Sequence, residues 1–169
     1  MISHANRGRS WERHLEFIHR RYEAQDRAVV IRTPPTMRII GSMGDGTFKA
    51  CFEKVGPPDY ILLADGKAIM AEAKECSGPR WALSNLHAHQ AARLQKWREQ
   101  GGVSIVLLHH KPSLSHWVIR WEKLMPSWQG WYERYSRKER SPPGSASMRL
   151  ADIRQMGLFF ESDYLDVLK

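Results

Sequence analysis

Residues 57–74 read Pro57-Pro58-Asp59-Tyr60-Ile61-Leu62-Leu63-Ala64-Asp65-Gly66-Lys67-Ala68-Ile69-Met70-Ala71-Glu72-Ala73-Lys74. Two apolar runs flank an Asp-Gly pair, the strongest short-range signal for a β-hairpin, because both turn residues tolerate positive φ. With Asp65 and Gly66 as the loop, Ala64 pairs with Lys67 and Asp59 falls opposite Glu72. Strand side chains alternate between faces, so Lys74 projects from the face that carries Glu72. Ile61, Leu63, Ala68 and Met70 share that face, Tyr60, Leu62, Ala64, Ile69 and Ala71 take the other, and both read as buried.

A carboxylate opposite a carboxylate is costly. Cross-strand neighbours have Cβ atoms roughly 4.5 to 5.5 Å apart, and like charges placed there destabilise a sheet. A divalent cation offsets the cost: Mg²⁺ prefers carboxylate oxygens, keeps several waters and takes one or two protein carboxylates beside substrate phosphate. Asp followed by Glu-x-Lys is common by chance. What singles out Asp59, Glu72 and Lys74 is the register fixed by the turn, at one end of an apolar ribbon.

The 169 residues fit one domain, 1–169, large enough to bury a substantial core. Lys and Arg total 26 against 18 Asp and Glu, a net charge of +8, which points to a polyanionic partner. There is no long apolar span and no lipidation motif, so nucleic acid fits better than a membrane. Cys51 and Cys76 lack Cys-x-x-Cys spacing, which argues against a disulfide framework or zinc knuckle and for a reducing compartment. His87-x-His89 and His109-His110 lack the i, i+4 spacing of a helical zinc site and read as structural or phosphate-facing.

Outward from the hairpin, Trp11, Leu15, Ile18 and Tyr22 recur at helical spacing and predict an amphipathic helix over about 10–24. Arg7, Arg9 and Arg13 make its start basic. Glu12 either reaches a metal or its waters, or is a solvent carboxylate favoured by the helix N-terminus. Ala28–Arg32 predicts a short strand. Thr33-Pro34-Pro35-Thr36 then opens a second hairpin, about 36–52, with a Gly44-Asp45-Gly46 tip and basic residues Arg38, Lys49 and Lys54. Glu75–Arg80 reads as a polar loop, with Ser84 the N-cap of a helix whose inward stripe is Leu86, Leu94 and Trp97 and whose end is Gly101-Gly102. Gln90 falls on that stripe; an amide there needs partners, so it caps backbone or faces the carboxylates. Val103–Leu108 and His116–Arg120 predict two more strands, completing a β-α-β layer. Trp128, Trp131, Tyr132 and Tyr135 predict a basic aromatic helix, Ser141–Ser147 a loop, and short segments at 150–156 and 163–168 the end of the domain.

Taken together these motifs resemble the RecU-type Holliday-junction resolvases of the PD-(D/E)xK nuclease superfamily. The likeness rests on Asn6-Arg7-Gly8 with Trp11-Glu12, Thr33-Pro34-Pro35-Thr36, Pro58-Asp59-Tyr60 with Glu72-Ala73-Lys74-Glu75, Leu83-Ser84-Asn85-Leu86-His87-x-His89-Gln90, Trp97-x-Glu99-Gln100-Gly101-Gly102 and Asp163-Tyr164-Leu165. It implies an α/β, restriction-endonuclease-like mixed β-sheet flanked by helices, with 36–52 as a protruding stalk. It also implies that Asp59, Glu72 and Gln90 surround Mg²⁺ or Mn²⁺, that Lys74 stabilises the transition state or orients water, and that Glu12 assists. Many members carry a threonine two residues before the aspartate; Pro57 stands there, and any metal contact from that side chain is lost. The expected activity is metal-dependent nicking of four-way DNA junctions by a homodimer, in the cytoplasm of a bacterial or phage-infected cell. Arg7, Arg9, Arg13, Arg38 and Lys49 would contact DNA. The alternatives are a nuclease of the same superfamily acting on duplex DNA, and a non-catalytic junction-binding protein.

Overall fold

A computed structural model describes residues 9–53, 55–140 and 145–169. Arg7, the Asn6-Arg7-Gly8 motif, Lys54 and residues 141–144 of the expected loop lie outside the described residues, as does the side chain of Arg9.

Helix α1 (Arg9–Ala24) buries Trp11, Leu15, Ile18 and Tyr22, the stripe that its sequence spacing predicts. The chain then forms β1 (Ala28–Arg32), β2 (Met37–Ser42), β3 (Phe48–Phe52), β4 (Tyr60–Ala64) and β5 (Lys67–Cys76). Next come β6 (Arg80–Ala82), α2 (Ala88–Glu99), β7 (Val103–His110), β8 (Ser115–Arg120) and α3 (Trp121–Ser136). It closes with β9 (Ser147–Arg149), α4 (Leu150–Met156) and β10 (Gly157–Phe160). Six strands make the main sheet in the order β1-β4-β5-β7-β8-β10, antiparallel throughout except for the parallel pair β5 and β7. Strands β2 and β3 pair only with each other, as the stalk hairpin, and β6 with β9 forms a small third sheet.

The central turn has the backbone that an Asp-Gly loop dictates, with φ of 50° at Asp65 and 71° at Gly66. Ala64 pairs with Lys67 and Tyr60 with Ala71, and the same register carries Asp59, the residue before β4, across from Glu72. Strand β5 runs past the end of β4, so its second half pairs with β7, Glu72 opposite Val106 and Lys74 opposite Leu108. Parallel pairing requires a crossover, which α2 supplies. Its exit is tightly built: Gly101 has φ of 88°, and a Cβ at Gly102 would come within 2.2 Å of the Trp97 ring nitrogen. That nitrogen donates to the Ala68 carbonyl at 3.1 Å and ties the helix to β5.

Alternation along β7 divides the core. Ile105 and Leu107 pack under α1 with Tyr60, Leu62 and Tyr164, while Val106 and Leu108 pack under α2 and α3 with Leu94, Trp121 and Trp128. Glu72 alternates with Met70 and Cys76 and so belongs to the α2 side.

Several expectations are corrected. The hairpin is not buried on both faces: Leu63 is 53% exposed, and Ala68 is exposed as well. Glu75 and Cys76 belong to β5, and Arg80 opens β6, so the segment is not one continuous loop. Ser84 lies in a single 3₁₀ turn, Leu83–Asn85, and α2 is capped from His87. Its buried positions are Ala91 and Leu94, with Leu86 buried just ahead of it. Helix α3 starts at Trp121 and stops at Ser136, leaving Tyr135 64% exposed. Strand β10, on the free edge of β8, has no counterpart in the sequence reading.

Candidate active site

Asp59 stands at the mouth of β4, where its segment is pinned from both sides. The Thr33 amide donates to the Asp59 carbonyl at 3.1 Å, the Thr33 hydroxyl donates to the Pro58 carbonyl, and Arg93 of α2 reaches the Gly56 carbonyl. The Asp59 carboxylate accepts from the Ala73 amide at 2.8 Å, which locks it across the ribbon from Glu72. Glu72 itself is 1% exposed. Burial first, and then the Asp59 carboxylate, push its pKa up to about 8, with Lys74 opposing.

Gln90 resolves the choice left by its sequence position by doing both jobs. Its amide Nε2 donates to Glu72 Oε2 at 2.7 Å, while Oε1 accepts from Lys74 Nζ at 2.9 Å and from the His87 amide at 3.1 Å. The two donors fix which end is oxygen, since neither Lys74 Nζ nor a backbone N–H accepts. The amide therefore caps α2 and holds Glu72 and Lys74 in one orientation. In this arrangement its carbonyl oxygen accepts from two nitrogen donors. Lys74 Nζ also lies 3.5 Å from Glu72 Oε2.

A cleft of about 270 Å³ opens over the site, lined by Asp59 and Lys74 together with Glu12, Arg32, Thr33 and Glu75. Glu12 thus shares the cleft, but its carboxylate is paired with Arg32 at 2.9 Å. Arg32 also pairs with Glu16. Arg32, Thr33, Glu75 and Arg93 were not singled out as site residues. Arg32 and Thr33 had a readable signal, since they leave β1 directly into the Pro-Pro entry of the stalk. Glu75 had another: in β5 it alternates away from Glu72 and Lys74, and its carboxylate meets Lys111 at 3.0 Å. Of the basic residues expected on DNA, Arg13, Arg38 and Lys49 are exposed, on α1 and the stalk, apart from the carboxylates.

Among the described residues no group of three or more His, Cys, Asp or Glu side chains is arranged to hold a metal ion. The donor set at this site is two carboxylates, one of them buried and raised in pKa by the other. Such a pair fits a hard divalent cation that takes few protein oxygens and keeps its waters. Among the described residues, no helix is long and apolar enough to cross a membrane.

A mixed sheet whose hairpin presents Asp, then Glu-x-Lys, with a crossover helix behind it, is the organisation of PD-(D/E)xK-class nucleases. The sequence pattern of the Recombination protein U (RecU) family matches residues 6–168, and the chain belongs to that family. The Holliday junction resolvase RecU of Streptococcus suis (strain 05ZYH33) is 27% identical over 180 residues, covering 99% of this chain and 82% of its own. The protein of the same name from Listeria welshimeri is 30% identical over 134 residues, 76% of this chain and 67% of its own. Among solved structures, the Holliday junction resolvase Hjc of Archaeoglobus fulgidus aligns with a TM-score of 0.49 and 13% identity, covering 88% of this chain and 94% of that one.

Proposed function

We propose that the chain is a structure-selective, metal-dependent endonuclease that resolves four-way DNA junctions by paired symmetric nicks. The observation that carries the reading is the buried Glu72 carboxyl set against Asp59 and clamped with Lys74 by one amide, in a chain of the RecU family. A structural role alone leaves such a carboxylate pair at a net cost, because a buried charge beside a like charge is disfavoured on both counts.

Asp59 and Glu72 would hold Mg²⁺ or Mn²⁺, which supplies Lewis-acid stabilisation of the scissile phosphate and an attacking water of lowered pKa. Lys74 neutralises charge that develops on the non-bridging oxygens. Gln90 is a positioning residue in this scheme: it bonds to both Lys74 and Glu72 and fixes them relative to each other. Glu12, held by Arg32, lines the same cleft and would assist the metal through its waters. Two nicks on symmetry-related strands need two sites, which a two-fold homodimer provides. Arg7, Arg9 and Arg13, with Arg38 and Lys49 on the stalk, supply phosphate contacts.

The test is substitution of one carboxylate at a time. Asp59→Asn and Glu72→Gln should each lower cleavage of a labelled junction by at least ~10³-fold, on the order of losing a principal electrostatic contact. Junction affinity should be unchanged or tighter, because less negative charge faces the phosphates. Wild-type turnover of either variant at saturating Mg²⁺ sinks the metal-site assignment.

A further inference from the structure

Beyond the catalytic cleft, the small β6–β9 sheet poses the same physical question as the opposed carboxylates, with the sign reversed. Arg80 and Arg149 are direct cross-strand partners in a ladder only three residues long. Like charges so placed destabilise a strand pair, and Asp152, 3.6 Å from Arg149 Nε, balances one of the two. The Arg80 guanidinium is held rigidly, donating from Nε to Ser147 Oγ at 2.7 Å and from Nη2 to the Ser147 carbonyl at 2.7 Å.

The two arginines line a cleft of about 780 Å³ whose other wall is α3, and Arg134 on that helix brings a third guanidinium. Among the described residues its Nε is buried with no hydrogen-bond partner. Among the described residues one carboxylate, Asp152, lines the cleft, and it is engaged by the Arg149 amide at 2.7 Å and by Arg149 Nε at 3.6 Å. Three cations therefore face one anion that is already bound to the most exposed of them.

Ser127, Gly130 and Arg134 recur at i, i+3 and i+7 and form the α3 face of the cleft. A glycine inside a helix costs roughly 0.5 to 1 kcal/mol relative to alanine. Packing does not demand it here, since a Cβ at Gly130 would meet nothing nearer than Arg134 Nη2, at 3.7 Å. What the missing side chain does is keep the floor in front of Arg134 open.

We propose that Arg80, Arg134 and Arg149 form a seat for the phosphodiester backbone of a DNA arm, separate from the catalytic cleft. Planar guanidinium groups suit phosphate oxygens better than point charges do. A phosphate between the two opposed arginines removes the repulsion that the ladder otherwise carries. The inference rests on the junction-binding reading above.

Two variants test it, each compared with the wild type in chelator at several salt concentrations by competition binding of a four-way junction. Arg134→Gln/Arg149→Gln removes two contacts, and the slope of log affinity against log salt should shrink by about 2, at roughly 0.9 per phosphate. Gly130→Glu leaves the arginines in place, raises helix propensity and sets a carboxylate on the cleft floor; it should fold normally by circular dichroism and shrink the slope by about 1. The control, Arg137→Gln/Lys138→Gln, removes two charges past the end of α3 and should change the slope by less than half as much. A wild-type slope in either folded cleft variant, or an equal loss in the control, overturns the seat while leaving the proposed function standing. A wild-type protein that binds no junction overturns both.

Discussion

At the scale of single residues, the raised pKa of Glu72 makes the site visible to a stability measurement with no DNA present. The folded state holds the Glu72 proton up to about pH 8, whereas an unfolded carboxyl releases it near 4.5. Between those values the folded protein binds more protons, so metal-free stability falls as pH rises. His19 and His116 act in the other direction, since burial lowers both to about 4. Their contribution is complete above pH 6.5 and is lost as pH falls towards 4. The interval from 6.5 to 8 therefore isolates Glu72. Metal-free Glu72→Gln should show a flatter thermal midpoint across it than the wild type and be the more stable of the two at pH 8; coincident curves contradict the buried-carboxyl account. Gln90→Ala should cost about 1 kcal/mol as a lost helix cap, and roughly 10- to 100-fold in activity per folded molecule as a lost orienting partner. A midpoint loss with unchanged specific activity leaves only the cap. The Asp59–Glu72 opposition was legible because an Asp-Gly turn fixes register without tertiary help. The double bonding of Gln90 was not, because it depends on β5 and α2 meeting across a crossover, and no spacing rule encodes that meeting.

At the scale of elements, the stalk is exposed along nearly its whole length. Met37, Ile39, Phe48 and Phe52 are each 58% exposed or more, and the β2–β3 pairing shifts between Ile39 and Gly41. No metal-ligand candidate lies on it. Replacing Gly41 to Lys49 by a short Gly-Ser turn should abolish preference for a junction over duplex in competition binding at fixed salt, with duplex affinity falling much less and circular dichroism keeping the core signal. Unchanged selectivity in a well-folded deletion places recognition elsewhere, foremost in the arginine-rich segment leading into α1. The long elements were legible in outline: α1, β1 and the two hairpins carry either a 3.6-residue apolar stripe or a turn-bounded apolar run. The short ones were not. Strands β6 and β9 are three residues each, too few for any period, and pair across a separation of more than sixty positions. The cap of α2 was misplaced because Ser84 is the better intrinsic N-cap, whereas Leu83 and Leu86 are both buried and turn the chain once more before the helix starts.

At the scale of the whole molecule, the sheet supplies rigidity and its edges supply reach. Strand β5 sits inside the sheet, paired with β4 as far as Ala71 and with β7 as far as Cys76, so Glu72 and Lys74 are held by the β7 ladder while the Ala73 amide holds Asp59 beside them. The stalk, α1 and the β6–β9 cleft carry Arg38 and Lys49, Arg13, and Arg80, Arg134 and Arg149, part of the basic excess of a chain with net charge +8. Net charge was enough to indicate a polyanion. It could not say where the polyanion lies, because the grouping of Arg80, Arg134 and Arg149 is made by tertiary structure alone. Paired nicking further requires that two chains act together, so light scattering should give twice 19.6 kDa; a monomer that still makes paired nicks contradicts the symmetric arrangement. The central claim is tested most directly by incubating the protein with end-labelled four-way junction and with linear duplex of the same arm sequence, with and without Mg²⁺ or Mn²⁺, and mapping the cuts. The account predicts metal-dependent nicks at symmetry-related positions on two opposing strands of the junction and little cutting of the duplex. Equal cutting of both substrates, or cutting that persists in chelator, contradicts it.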